Sequence, residues 1–215
     1  VAPELEGAEE LIRWASSNGV AVEIGHSAAT YEQAMKAIEW GATLATHLFN
    51  AMSPLHHRDP GIPGAVLMDP RVTCELIADL GHVAGAVVKL ACAAKGADGI
   101  NLISDSCTAA GVSDGEYTQP DGRKIFVKDG LARLENGTIM GSASSILDGV
   151  RNLVSLGIDL AVAVGMASTN PARCIGLSDR GVIATGKRAD LAVLDKNLHV
   201  QCTFVGGKPV YEAKK

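Results

Sequence analysis

The chain has 215 residues, of which 47% are hydrophobic and 20% are charged, and its formal net charge is −5 at pH 7. This length exceeds that of a minimal domain, and the composition is typical of a soluble globular protein. The net negative charge argues against a nucleic-acid partner. The lack of any apolar run of roughly 18–20 residues argues against a membrane span. Five scattered cysteines indicate a reducing cytoplasm.

The N-terminal part of the chain alternates short apolar strands with helices. Helices are predicted over residues 8–17, 31–40 and 83–95. Strands are predicted over residues 20–24, 42–46, 72–78 and 99–104, and a further strand is predicted to end at Glu4. Thr30 and Gly41 are predicted to cap the second helix, whereas Gly61 and Gly64 are predicted to serve backbone turns. Short strands that alternate with helices predict a parallel α/β sheet.

The sequence changes character after Asp105. Four Asp-Gly or Asn-Gly turn signals fall within residues 112–141, between short β-rich pieces, and predict an inserted hairpin region. Further helices are predicted over residues 144–156 and 160–167 and from Asn170 onward. Strands are predicted over residues 189–194, 200–205 and 209–211. Because these last strands have no helical partners, they predict a small separate β-sheet.

Four of the apolar strands are followed at once by titratable residues, which are His26, His47, the pair Asp79 and His82, and Asp105. If the parallel strands form a barrel, their C-terminal ends open on one face, so three histidines and a carboxylate are predicted to meet there. Neutral imidazoles suit zinc, whose catalytic sites have three protein ligands and a water, and a nearby carboxylate can take the proton of that water. A lone buried histidine is more often a hydrogen-bonded core residue. Four such strand ends together favour metal-dependent hydrolysis of a carbonyl compound.

Five motifs surround these residues. They are Gly25-His26-Ser27-x-x-Thr30, Ala45-Thr46-His47-Leu48-Phe49-Asn50-Ala51-Met52, Arg58-x-Pro60-Gly61, Ile77-Ala78-Asp79-x-x-His82-Val83 and Ser104-Asp105-x-x-x-Ala109-x-Gly111. In order and spacing they resemble the N-acetylglucosamine-6-phosphate deacetylases of the amidohydrolase superfamily. The Thr-His-Leu-Phe-Asn-Ala-Met string is very specific to that family. A later string, Gly186-Lys187-x-Ala189-Asp190-Leu191, resembles only the wider superfamily, where the chain returns to a small β-sandwich.

The resemblance implies a fold and a reaction. Residues 1–178 would form strands four to eight of a (β/α)8 barrel, with the inserted hairpin region at about 112–141, and residues 179–215 would form the C-terminal strands of a small β-sandwich. The reaction would be the deacetylation of N-acetylglucosamine 6-phosphate to glucosamine 6-phosphate and acetate in amino-sugar catabolism. One or two divalent metal ions, with zinc as the expected metal, would be the cofactor.

The resemblance also implies roles for individual residues. His26 and His47 resemble the metal ligands on the fifth and sixth barrel strands. Asp105 resembles the aspartate that activates the nucleophilic water and then protonates the leaving amine. His82 resembles the histidine that contacts the substrate and helps polarise its acetamide carbonyl.

Three further residues resemble the family's sugar-phosphate contacts. Asn50 and the backbone of Ala51 would bind the substrate, although Asn50 could equally be a turn cap. Arg58 would reach the phosphate of a substrate that the neighbouring subunit holds, which implies a homodimer, although on its residue type alone it could be a surface ion pair. A guanidinium suits a phosphate because it donates two parallel hydrogen bonds.

The sequence departs from the family pattern at one metal ligand. The family's glutamate in a His-Leu-Glu-Gly-Pro string has no counterpart here, and Glu4 does not match its position. We therefore expect two of the three usual protein ligands, a weaker zinc site, and a chain that is a piece of a longer protein. Two other readings stay open at this point: another amidohydrolase, such as a dihydroorotase- or deaminase-like enzyme, or a fragment without catalytic activity.

Overall fold

The structure is a computed structural model, and it describes residues 1–214. The helices are α1 (Ala8–Ser17), α2 (Tyr31–Trp40), α3 (Gly61–Met68), α4 (Gly85–Lys95), α5 (Ile146–Ser155), α6 (Leu160–Ala167) and α7 (Thr169–Cys174), with a 3₁₀ turn at Ala97–Gly99. The strands are β1 (Glu23–Ile24), β2 (Leu44–Ala45), β3 (Thr73–Ile77), β4 (Ile100–Ile103), β5 (Gly115–Thr118), β6 (Lys124–Lys128), β7 (Leu131–Leu134), β8 (Ile139–Ser142), β9 (Leu191–Leu194), β10 (Val200–Val205) and β11 (Lys208–Glu212).

A parallel sheet of four strands in the order β1-β2-β3-β4 forms the centre of the fold, and it confirms the predicted α/β class. Helices follow the strands and share one hydrophobic core with them, which includes the fully buried Ile12, Ile24, Leu48, Val88 and Leu153. Since adjacent parallel strands end at the same edge, the loops after β1 to β4 all leave from one edge of the sheet. No helix in residues 1–214 has the length and apolar character needed to cross a bilayer.

Two antiparallel sheets follow the parallel one. The turn-rich stretch forms a meander of β5 to β8, whose small core contains Ile125, Val127 and Ala132. The last strands form a sheet in the order β11-β10-β9. Arg151 of α5 connects this last sheet to the helices, because its Nη2 donates to the carbonyl oxygen of Leu198 at 2.6 Å.

The helices that carry clear sequence signals were predicted closely. The helices at 8–17, 31–40 and 160–167 are confirmed residue for residue. Thr30 caps α2 as predicted, since its hydroxyl accepts from the Gln33 N–H while the Gln33 side chain accepts from the Thr30 N–H. The strands of the parallel sheet are shorter than predicted, and β1 has only two residues of the predicted 20–24. In the last sheet β10 matches its predicted span of 200–205, and β11 is longer than the predicted 209–211.

Two predictions about local structure were wrong. The strand predicted to end at Glu4 does not form: only Val1 pairs with β1, through Glu23 O at 2.6 Å and Gly25 N at 3.3 Å, and the chain then turns at Pro3, which lacks an N–H donor. Gly64 does not serve a turn, because it lies inside α3, whereas Gly61 opens that helix with a φ of +56° and so has the turn-like backbone predicted for it. This helix is apolar and almost wholly buried, so it has no polar face from which a helical period could be read.

Candidate metal and active site

Two histidine rings meet at the carboxyl ends of β1 and β2. The Nε2 atoms of His26 and His47 lie 2.8 Å apart, and the ring centroids lie 4.7 Å apart with the planes at 63°. Two nitrogen ligands of one tetrahedral zinc ion lie roughly 3.3 Å apart, given Zn–N bonds of about 2.0–2.1 Å. The observed 2.8 Å is the length of a direct N–H···N hydrogen bond between the rings, and a further separation of the two nitrogens by roughly 0.5 Å would give the spacing of a shared metal ion.

The two histidine nitrogens are suitable ligands for a metal ion, but two ligands do not make a complete site. No group of three or more His, Cys, Asp or Glu side chains is arranged to hold a metal ion within residues 1–214. Ligating histidines usually donate their second ring nitrogen to an acceptor, yet the buried Nδ1 of His47 has no hydrogen-bond partner. The described residues thus bring together two imidazoles that could serve as metal ligands, and they offer neither a third ligand nor a partner for His47 Nδ1.

The backbone at these strand ends is unusual. His26, His47 and Asp105 have φ angles of +49°, +30° and +48°, a region that L-residues with a Cβ rarely occupy. Such conformations cost about 1–3 kcal/mol each and are concentrated at functional sites. His26, His47 and Asp105 therefore all leave their strands through strained turns.

Asp105 follows β4 and is exposed. Its backbone is held by the last strand of the inserted sheet, because the Ser142 N–H donates to the Asp105 carbonyl oxygen at 2.9 Å and the Cys107 N–H donates to the Ser142 carbonyl oxygen at 3.1 Å. A Cβ on Gly141 would lie 2.9 Å from that same Asp105 oxygen, so the close approach needs glycine. The inserted sheet thus fixes the backbone of Asp105, while its carboxylate is not part of a three-ligand group.

Asp79 and His82 form a buried pair of side chains within hydrogen-bond distance at the end of β3. Asp79 Oδ2 lies 2.7 Å from His82 Nδ1, and the side chains are only 3% and 5% exposed. Asp79 Oδ1 accepts hydrogen bonds from the backbone N–H groups of Gly81 and His82. Burial alone would raise the pKa of Asp79, but the hydrogen bonds from His82 and Gly81 outweigh it and hold the pKa below its ordinary value. Asp79 is therefore a carboxylate that holds both the loop and the imidazole.

Two further carboxyl groups, those of Glu23 and Glu75, lie within the parallel sheet. Glu23 of β1 accepts a hydrogen bond from Thr46 Oγ1 at 3.0 Å. Burial raises the pKa of Glu75, on β3, to about 7, and the negative charges of Glu23 and Asp105 add to that rise. A backbone hydrogen bond from His47 opposes it. Glu75 is therefore within electrostatic reach of the site, and the sequence analysis did not single it out.

Glu4 holds the loop that follows His26. Its carboxylate accepts from Ser27 Oγ at 2.6 Å and from the Ala28 N–H at 2.8 Å. Glu4 and His26 line one open cleft of about 620 Å³ together with Ala51 and the residues next to them. The sequence pattern gave no signal for this contact, since Glu4 and Ser27 are brought together only by tertiary structure.

The predicted sugar-phosphate contacts lie on the loop after β2. The Asn50 amide donates to the carbonyl oxygens of His47 and Leu48, which is the turn role weighed for it. Ala51 has a φ of +46° and its carbonyl oxygen accepts from the Ser27 N–H, so the loops after β1 and β2 are joined beside the histidine pair.

Arg58 stands further along the same loop and is exposed. Its Nη1 lies 2.9 Å from His57 Nε2, and its N–H donates to His56 Nδ1. Among the described residues no carboxylate lies within ion-pair distance of Arg58. It therefore does not form the surface ion pair that was considered as an alternative.

The chain is similar in sequence to a known protein family. The sequence profile described as "Amidohydrolase family" matches residues 5–210. The N-acetylgalactosamine-6-phosphate deacetylase of Escherichia coli O157:H7 is 42% identical over 210 residues, which cover 97% of this chain and 55% of that protein. The N-acetylglucosamine-6-phosphate deacetylase of Lysinibacillus sphaericus is 38% identical over 209 residues, with 97% and 54% coverage. The chain spans about half the length of the curated relatives it matches.

Solved structures give the same result. The crystal structure of N-acetylglucosamine-6-phosphate deacetylase from Thermotoga maritima superposes with a TM-score of 0.90 at 40% identity, covering 99% of this chain and 58% of that one. A mutant of the Mycobacterium smegmatis enzyme, solved in complex with N-acetyl-D-glucosamine-6-phosphate, has a TM-score of 0.90 at 39% identity and covers 98% and 56%.

Proposed function

The chain belongs to the amidohydrolase family, and from that premise we propose that the complete protein deacetylates N-acetylglucosamine 6-phosphate. The products are glucosamine 6-phosphate and acetate, which places the reaction in amino-sugar catabolism. The observation that carries the proposal is the 2.8 Å approach of the His26 and His47 Nε2 atoms at neighbouring strand ends. Relatives named as deacetylases of phosphorylated amino sugars, at 36–42% identity, support the substrate class.

The reaction adds water to the acetamide carbon, breaks the C–N bond and moves one proton to the departing nitrogen. A divalent metal, for which zinc is our candidate, would be held by His26 and His47 and would supply the Lewis acidity that polarises the carbonyl. Asp105 accepts the proton of the attacking water and then delivers it to the amine. His82 contacts the carbonyl oxygen and stabilises the negative charge that develops there.

The phosphate of the substrate is the second group, after the acetamide, that the site recognises. Asn50 and Ala51, on the loop beside the histidine pair, contact the sugar phosphate. Arg58, exposed on the same loop and oriented by His57, reaches the phosphate of a substrate held by a second copy of the chain. The proposal therefore includes a homodimer, in which each site is completed by its neighbour.

The proposal extends to the fold and the compartment of the complete protein. The parallel sheet is part of a (β/α)8 barrel, of which residues 1–178 form only a portion that includes the inserted sheet, and residues 179–215 contribute to a small β-sandwich. The cytoplasm is the proposed compartment, because all five cysteines lie in the described part of the chain and are free.

A second candidate substrate is N-acetylgalactosamine 6-phosphate. The relative with 42% identity is named for that substrate. The two sugars differ only in the configuration at C4 and carry the same acetamide and phosphate, so the residues proposed above serve either reaction.

The test is acetate release by the complete protein from both 6-phosphosugars and from unphosphorylated N-acetylglucosamine. We expect efficient release from at least one phosphosugar and much slower release from the unphosphorylated sugar.

Asp105→Asn should lower kcat by a factor of at least about 100, with unchanged metal content, because it removes the general base. Equal cleavage with and without phosphate would refute the role of Arg58, and near-normal turnover in Asp105→Asn would refute the mechanism.

A further inference from the structure

We propose that Glu4 is a positioning residue that acts through Ser27: it orients the His26 imidazole for the metal ion and the Ala51 backbone for the phosphosugar. The inference rests on the proposed function for the identity of both ligands. Glu4 has no role in the mechanism proposed above.

Both carboxylate oxygens of Glu4 are committed to the loop that follows His26. Oε2 accepts from the Ser27 hydroxyl at 2.6 Å, and Oε1 accepts from the Ala28 N–H at 2.8 Å. Hydrogen bonds to an ionised carboxylate are roughly twice as strong as neutral ones. Within residues 1–214 Glu4 is not part of any group of three side chains placed to hold a metal ion. Its influence on the site therefore passes through the loop.

The loops after β1 and β2 meet at Ser27, which is buried. Its hydroxyl donates to Glu4 and accepts from the Ala29 N–H at 3.1 Å, while its own N–H donates to the Ala51 carbonyl oxygen at 3.0 Å. A hydroxyl has a single proton, so the bond to Glu4 fixes the direction of that proton and leaves a lone pair for Ala29. Together with the contact to Ala28, Glu4 thereby fixes the path of the loop.

The residues that depend on Ser27 have strained backbones. His26, one position before Ser27, has a φ of +49°, and Ala51, whose carbonyl oxygen accepts from Ser27, has a φ of +46°. Residues with a Cβ keep such angles only where their surroundings hold them there. The loss of Glu4 should therefore allow His26 and Ala51 to relax together.

Glu4 also lies in the cleft where the ligands are proposed to bind. Glu4, His26 and Ala51 all line the open cleft of about 620 Å³. Ser27 is 23 residues from Glu4 along the chain, so their contact is not part of a local turn and is made only by the tertiary structure. One cleft thus contains the positioning carboxylate and both of the groups that it is proposed to orient.

Two substitutions of Glu4 separate its contacts from its bulk. Glu4→Ala removes both acceptors. Glu4→Gln keeps one carbonyl oxygen, which can accept from the Ala28 N–H while the NH₂ group donates to the Ser27 oxygen. Mutation of the outer groups that orient metal ligands typically costs about 10–100-fold in metal affinity. We expect Glu4→Ala to raise the zinc dissociation constant by about 10-fold, and Glu4→Gln to recover most of that loss.

The same substitution should weaken substrate binding by the complete protein. At saturating zinc we expect Glu4→Ala to raise KM for the phosphosugar by about 10-fold, the equivalent of one hydrogen bond to a charged group, because Ala51 is no longer held in place. The change in kcat should be smaller, because the backbone of Asp105 is held by Ser142 of the inserted sheet and not by Glu4.

The experiment measures the zinc affinity of the 215-residue chain by competition with a colorimetric chelator, and KM and kcat for acetate release by the complete protein. The variants are Glu4→Ala, Glu4→Gln, Ser27→Ala and the double variant of Glu4→Ala with Ser27→Ala. Glu6→Ala is the matched control, since Glu6 is an exposed glutamate two positions further along the chain. Zinc that still binds to His47→Ala is bound elsewhere and is subtracted. We expect Glu6→Ala to match the wild type, and Glu4→Ala to cause little further loss in the Ser27→Ala background.

A wild-type zinc affinity and KM in Glu4→Ala would overturn the inference, and so would the same fold loss in both Ser27 backgrounds. If Glu4→Ala does not fold, as judged by circular dichroism, Ser27→Ala decides: it should raise the zinc dissociation constant several-fold, and a wild-type value would overturn the inference. If the complete wild type releases no acetate, the proposed function fails, while the zinc affinities of the 215-residue chain still decide whether Glu4 positions His26.

Discussion

His26, His47 and Asp105, to which we assign the chemical roles proposed above, have a backbone conformation that costs free energy. Each has a positive φ at the end of a strand, and a residue with a Cβ adopts that conformation only where its surroundings hold it there. The observed restraints are specific: the Ala51 carbonyl oxygen accepts from Ser27, just after His26, and Ser142 donates to the Asp105 carbonyl oxygen. The side chains of the site are therefore aimed by hydrogen bonds between loops that are far apart in sequence.

Glu75 gives a pH-dependent prediction at the residue scale. Burial raises its pKa to about 7, from an ordinary value near 4.5, so the folded state binds a proton more tightly than the unfolded state. Ionisation of Glu75 therefore lowers the free energy of unfolding as pH rises from about 4.5 through 7, and because the carboxyl group is only partly buried and solvent screens its charge, we expect an effect of about 1 kcal/mol. We expect Glu75→Gln to be more stable than the wild type at pH 8 and equal to it near pH 4.5. Urea unfolding of the metal-free chain at both pH values measures the difference.

The control for this prediction is Glu135→Gln, which changes an exposed glutamate in the turn after β7. It should leave the free energy of unfolding nearly unchanged at both pH values. A stability difference between Glu75→Gln and the wild type that does not vary with pH would contradict the account of Glu75.

At the scale of the elements, the C-terminus of α3 is fixed by charged groups at the edge of the sheet opposite the site. Asp69 forms an ion pair with Arg71, and the Lys95 ammonium from α4 donates to the carbonyl oxygens of Val66 and Asp69. A cation at this position satisfies carbonyl groups that have no partner within the helix. These contacts connect α3, β3 and α4.

Asp69→Asn tests this arrangement. The hydrogen bond from Arg71 lowers the pKa of Asp69 to about 2, so its contribution to stability is complete above about pH 4 and is lost as pH falls towards 2. Because Arg71 is half-exposed, we expect a loss of only about 1 kcal/mol at pH 7. Chemical denaturation at pH 7 and pH 2 measures it; an equal loss at the two pH values would show that the ion pair is not its cause.

The elements also show which features of the fold can be predicted from sequence. α2 was predicted to the residue because its signals are local: Thr30 begins it, Gly41 ends it, and a helical period lies between them. α3 was not predicted because it is buried on all sides, and its Gly61, Pro63 and Gly64 favour a turn in isolation. Its helical state comes from tertiary packing, which outweighs local preference.

At the scale of the whole molecule, the parallel sheet determines which part of the site could be foreseen. His26 and His47 follow adjacent strands, so their approach follows from topology and from the spacing of the strands along the chain. The roles of Glu4 and Asp79 could not be foreseen in the same way. The loop that Glu4 holds and the ring that Asp79 orients are identified only by distances between side chains.

The chain spans about half the length of the curated relatives it matches, and this determines what can be expected of it in isolation. Within residues 1–214 the two imidazoles that we propose as ligands are not joined by a third group placed to bind a metal ion. A catalytic zinc site has three protein ligands, so this chain should bind zinc weakly and require a high concentration of the metal.

The most direct test of the central claim is an anomalous difference map, measured at the zinc edge, from crystals of the chain grown in excess zinc. The account predicts a peak within bonding distance of both the His26 and His47 Nε2 atoms, and no such peak in His47→Ala. The absence of density between the two rings at saturating zinc, or zinc bound only elsewhere, such as at the exposed His56 and His57, would contradict it.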